Sequence, residues 1–183
     1  YDATTHRPTS WHDRIQNHAC AAGLLAARYR ATQDVRDLEG AAALCDFLLT
    51  RQTPDGAYRN KQTRYTSVIY IGKSILEVMA EERRLARTDP AWQVRFDRHY
   101  DSVRRAMDEL AAHRDNTETE GEPTYEDGMI ACSYSQLALF ALWQTDLAER
   151  AKYLAAAQDL AAGHRCLSQE LVPDSRMHGA SLR

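Results

Sequence analysis

The chain has little of what breaks or staples a fold. Among 183 residues there are 8 glycines, 5 prolines and 4 cysteines, and aromatic residues make up 8%. So few turn-makers argue against sandwiches and barrels, which need many corners and β-branched or aromatic strands. Cys20, Cys45, Cys132 and Cys166 stand far apart, with no Cys-x-x-Cys pair. That spacing excludes a zinc ribbon or a disulfide framework and reads as four buried thiols. No metal site is expected. Basic charge is not in excess either, since the formal net charge is −3 and the pI about 6.2; nucleic acid is not an expected partner. Nor is a membrane. The uncharged stretch from Met129 to Gln144 is 16 residues long and carries Ser133, Ser135 and Gln136, so it reads as a buried helix rather than a span. A secretory leader is missing, but so is an initiator Met, and a piece of a longer protein is expected. Walker, dinucleotide and Gly-x-Ser-x-Gly motifs are absent, and no cofactor is expected.

What is abundant is alanine, 28 residues, and with it helix. Capping residues and apolar period mark six helical segments. The first runs from about Trp11 to Arg30 after Ser10. The second follows Asp34 and reaches about Gln52, and the third runs from Thr66 or Ser67 to about Leu85. The fourth starts at Asp89-Pro90 and ends near Arg114, because proline suits the first helical position. The fifth runs from after Gly128 to about Gln144, and the sixth from Asp146 to about Ser168.

The connections alternate in length. Ala31–Asp34, Ala86–Asp89 and Thr145-Asp146 are tight, whereas Thr53–Tyr65, Asp115–Gly128 and Gln169–Arg183 are long. Tight links join antiparallel neighbours, so the single domain 1–183 reads as three αα-hairpins. The odd helices are rich in small and apolar residues, such as Ala21-Ala22-Gly23-Leu24-Leu25 and Val68-Ile69-Tyr70-Ile71-Gly72. The even helices are more charged. Odd helices are therefore expected to form an inner layer and even helices an outer one, the plan of an (α/α) toroid. In that plan His99, His113 and His164 lie on outer helices and face solvent. His12 and His18 are six apart, which is not the spacing of a helical zinc pair, and His6 precedes the first helix.

All the long connections and the N-terminal segment fall at one end of such a double layer, where loops carry function on a rigid scaffold. In the first, Asp55-Gly56 makes a turn. Tyr58, Arg59, Arg64 and Tyr65 could grip a sugar acid, since aromatic faces stack on sugar rings and guanidinium forks bind carboxylates; alternatively the tyrosines plug the mouth of the ring. In the second, Tyr125, Glu126 and Asp127 directly precede the uncharged helix. Capping by the helix dipole is one account of the two acids. Acid/base chemistry, with one charged and one proton-bearing group, is the other. The third pairs Arg176 with His178, a residue type that transfers protons near neutral pH.

The ending Leu48-Leu49-Thr50-Arg51-Gln52-Thr53-Pro54-Asp55-Gly56-Ala57-Tyr58 resembles hairpin ends of the α/α-toroid superfamily. Arg64-Tyr65-Thr66-Ser67-Val68-Ile69-Tyr70, Tyr125-Glu126-Asp127-Gly128-Met129-Ile130 and Pro173-Asp174-Ser175-Arg176-Met177-His178-Gly179 are similar to segments of bacterial six-hairpin glycosidases and toroidal polysaccharide lyases. The nearest branch is the uronate-active, β-glucuronidase-type glycoside hydrolases. A full ring of that kind has six hairpins and this chain supplies three. The resemblance therefore implies either half of a longer enzyme or self-association over exposed inner helices.

The resulting expectation is a glycoside hydrolase acting on an acidic oligo- or polysaccharide. Glu126 and Asp127 would be the acid/base pair, assisted by Tyr125 and His178, while Tyr58, Arg59, Arg64, Tyr65 and Arg176 would bind substrate. A lyase that cleaves uronides by β-elimination is the second reading. There Tyr65 or Tyr125 acts with His178 as base, and Arg176 neutralises the uronate. A non-catalytic helical-repeat binding module is the third. A cytoplasmic or periplasmic setting fits these readings, the unpaired cysteines leaning to a reducing one.

Overall fold

The computed structural model describes residues 15–58, 66–112 and 134–162. Among these residues there are six α-helices and no strand. They are α1 (Ile15–Thr32), α2 (Val35–Leu49), α3 (Thr66–Leu85), α4 (Pro90–Ala112), α5 (Tyr134–Ala141) and α6 (Leu147–Ala162). The all-α expectation therefore holds.

The helix ends follow local chemistry. α1 stops at Gln33, whose φ of 58° is a left-handed conformation rare for a residue with a side chain. Its amide pays part of that strain back by donating to the Tyr29 carbonyl at 3.2 Å and the Arg30 carbonyl at 3.1 Å. Asp34 then starts α2, its carboxylate accepting from the Arg36 backbone N–H at 3.1 Å. Arg36 also holds the Asp34 carboxyl down to about 2, well below the usual carboxylate range, mainly through its side-chain hydrogen bond. Asp89 accepts from the Ala91 N–H at 2.9 Å, with Pro90 in the first helical position. Asp146 accepts from the N–H groups of Ala148 and Glu149, at 2.8 and 2.9 Å.

The chain divides into two compact units, residues 1–106 and 107–183, so α4 contributes to both. In the first unit α1 packs on α2 and on α3, and α2 also touches α3. The residues at these interfaces are small. Ala19, Ala22 and Ala26 of α1 are buried with Leu38, Ala41, Ala42, Leu44 and Leu48 of α2 and Ile75, Val78 and Met79 of α3. At Gly23 an added Cβ would lie 3.2 Å from Glu77 Oε2 and 3.3 Å from Ser74 Oγ, so the α1 backbone runs close to α3. His18 is buried and stacks on Phe47, ring centroids 4.6 Å apart. The charged fourth helix has the wet face its sequence implies: Gln93, Val94, Asp97, Arg98 and Asp101 are exposed, and Trp92, His99, Ser102, Val103 and Ala106 are buried.

In the second unit α5 packs against α6. Phe140 meets Tyr153 edge to face at 5.0 Å. The Tyr153 hydroxyl donates to Asp108 Oδ1 at 2.7 Å, beside the Lys152 ammonium at 2.6 Å.

The structure corrects one cysteine expectation. Cys45 is buried, but Cys20 is exposed, because position 20 lies on the stripe of α1 shared with Leu24, away from α2 and α3. Cys132 and Cys166 lie outside the described residues.

Candidate functional site

The loop after α2 is built as a clasp. Thr53 donates its backbone N–H to the Ala57 carbonyl at 2.8 Å, and Gly56 donates back to Thr53 at 2.9 Å. The turn returns the chain on itself, so that Gln52 and Tyr58 form an antiparallel bridge. Gly56 is essential to the turn, for two reasons. Its φ is +95°, and a Cβ there would stand 2.5 Å from the Arg105 carbonyl oxygen.

The clasp closes onto α4 through one amide side chain. Gln52 Nε2 donates to the carbonyls of Gly56 and Ser102, both at 2.8 Å. Gln52 Oε1 accepts from Ser102 Oγ at 2.9 Å and from the Arg105 guanidinium at 2.5 Å. Both donor hydrogens and both acceptor lone pairs of this amide are thus used. Tyr58 adds a further hydrogen bond, between its hydroxyl and Ser102 Oγ. Since the Ser102 proton goes to Gln52, Tyr58 is the donor. The tyrosine is fully buried, and burial pushes its phenol well above the ordinary value.

A second polar cluster lies one turn earlier along α4. His99 of α4 is fully buried, with Nδ1 2.9 Å from each oxygen of Glu82 on α3 and Nε2 3.0 Å from Asp46 Oδ1 on α2. Glu82 is also fully buried. Asp46 is partly exposed and pairs a second time with Arg98. Burial works against a charged ring, but the hydrogen bonds and charges of Asp46 and Glu82 outweigh it and raise the His99 pKa. Burial likewise pushes the Asp46 carboxyl up, and His99 and Arg98 outweigh it to leave the group low. The neighbouring Cys45 thiol is raised well above its ordinary range by burial, then by the two carboxylates.

Of the sequence-predicted site residues, the structure places Tyr58. The ring expected to stack on a sugar is in the core, walled off from solvent, with its hydroxyl turned onto α4. Arg59, Arg64, Tyr65, Tyr125, Glu126, Asp127, Arg176 and His178 lie outside the described residues, as do His6, His12, His113 and His164.

His99 is a second correction. It was expected on a solvent face and is instead fully buried in the first unit. The signal was present in the period of α4: Trp92, His99, Val103 and Ala106 recur at i, i+7, i+11 and i+14, one stripe of a helix. Glu82 and Asp46 carried no such mark, since acids on apolar helix faces are ordinarily solvated. Among the described residues no group of three or more His, Cys, Asp or Glu side chains is arranged to hold a metal ion. No helix among them is long and apolar enough to cross a membrane.

No family model matches the chain, and no curated protein or solved structure matches it either.

Proposed function

We propose that the chain forms part of an (α/α)-toroid scaffold and is a glycoside hydrolase acting on an acidic glycan, with Glu126 and Asp127 as the acid/base pair. The observation that carries this reading is the clasp. It fixes the chain at Tyr58, α3 begins at Thr66, and the seven residues between these points contain Arg59, Arg64 and Tyr65. Tight α1–α2 and α3–α4 links, with α1 packed on α3, support the hairpin plan within the first unit. Arg59, Arg64 and Arg176 would hold the substrate carboxylate, and Tyr65 and Tyr125 would orient the ring. Tyr58 enters this reading as a positioning residue rather than a sugar contact.

The test incubates the protein with a panel of uronate-containing oligosaccharides and follows reducing-end release beside far-ultraviolet absorbance. New ends without absorbance support hydrolysis. Ends with absorbance mean an unsaturated uronide, hence β-elimination, and transfer the chemistry to Tyr65 or Tyr125 with His178 and Arg176. Silence in both channels withdraws the glycan-cleaving reading and returns the function to unknown.

A further inference from the structure

The His99 cluster is arranged so that its protonation state follows from geometry. Both ring nitrogens face carboxylate oxygens, Nδ1 at 2.9 Å from Glu82 and Nε2 at 3.0 Å from Asp46. A neutral imidazole has one N–H and one bare lone pair. Whichever tautomer it took, the bare nitrogen would face an acidic oxygen. A doubly protonated ring donates in both directions.

The charges then balance. Glu82 and Asp46 supply two negatives, His99 one positive, and Arg98 on Asp46 the second. Among the described residues, the remaining charged or titratable groups that act on the cluster are Arg95 of α4, which lies near Asp46, and the thiol of Cys45 on α2. Neither supplies a substitute cation to Glu82, which is fully buried.

We infer that His99, Glu82 and Asp46 form a pH-sensitive lock that ties α4 to α2 and α3, closed while the ring carries both protons and donates in both directions. The lock opens in two directions. Deprotonating the ring leaves Glu82 an uncompensated buried carboxylate, a costly state. Protonating Asp46 removes an acceptor.

The sign of the linkage follows. The folded ring binds its proton more tightly than the unfolded one, whose pKa is near 6.5. Its stabilisation is fully present below 6.5 and is lost as pH rises through the higher folded value. Asp46 acts oppositely: its share is present above the ordinary carboxylate value and is lost as pH falls through its lowered one.

Histidine-resolved nitrogen NMR of the full chain tests this, with His99 assigned through its own backbone so that no variant is needed. The expected result is a ring with both N–H protons retained above pH 6.5, exchanging slowly with water. A His99 ring that is neutral at pH 6.5, or that titrates at or below that value, overturns the lock. A neutral ring beside a protonated Glu82 overturns it as well. In parallel, the urea midpoint should fall as pH rises through the His99 titration. Asp46→Asn, at a partly exposed site the fold tolerates more readily, should shift that fall to lower pH. The same pH profile in Asp46→Asn as in the natural chain would also sink the idea.

Discussion

The hydroxyl of Tyr58 donates to Ser102 Oγ, 44 residues further along the chain. The serine in turn donates to Gln52, so three side chains form a directional relay in which each proton has one destination. Removing the first or the middle member of the relay should therefore have unequal effects. Tyr58→Phe deletes a donor and leaves Ser102 still bonded to Gln52, at a cost of about 1 kcal/mol. Ser102→Ala strands the buried phenol and takes a donor from Gln52, at about 2 kcal/mol. Urea unfolding of both variants checks the order; equal or inverted costs would contradict the assigned donor direction.

Gly56 should be the least replaceable residue of the clasp. An alanine there would need a left-handed backbone and would place its Cβ against the Arg105 carbonyl, which cannot swing aside as a side-chain tip can. Strain and overlap together predict a loss of about 3 kcal/mol for Gly56→Ala. Gly23→Ala, whose neighbours at 3.2 and 3.3 Å are side-chain atoms, should lose less. Thermal melts of the two variants give the comparison.

Thiol labelling should separate the two described cysteines. Cys20 is exposed and should react with a disulfide reagent in the native protein. Cys45 is buried, and its thiolate is disfavoured by burial and by Glu82 and Asp46. It should react only when the first unit opens. Mass mapping of the labelled cysteines checks this, and rapid native labelling of Cys45 would contradict the packing around it.

For the proposed activity, Glu126→Gln and Asp127→Asn should each lower the rate by ~100-fold or more, the scale of a lost acid or base. Arg64→Ala should mainly raise KM. Wild-type rates in both amides would remove the two acids from the mechanism. The measurement is kcat and KM on whichever uronate glycan the panel identifies.

The starts of α2, α4 and α6 were legible in the sequence because they are written in local chemistry. Asp34, Asp89-Pro90 and Asp146 each cap the helix they were expected to start. The Asp55-Gly56 turn was legible for the same reason. What it turns onto was not. The partners of Gln52 and Tyr58 are 50 and 44 residues away, and nothing local distinguishes a tyrosine that faces a ligand from one that faces a serine. His99 was misplaced because overall charge outweighed period in the reading of α4: the many charged residues of that helix conceal a narrow buried stripe. Glu82 was illegible for a stronger reason. A buried acid becomes tolerable only through a partner contributed by another helix.

That dependence reaches into how the first unit is assembled. Glu82 sits on α3, and the ring that meets it arrives on α4, after the turn at residues 86–89. Burying residue 82 among α1, α2 and α3 before α4 docks would leave its carboxylate without the ring that pairs with it. The acid should thus disfavour closure of the three helices on their own. The fourth helix does not merely cover a finished core but brings the ring that pairs with Glu82. A chain cut before Pro90 should accordingly stay loosely packed, however many of its alanines and leucines are in place.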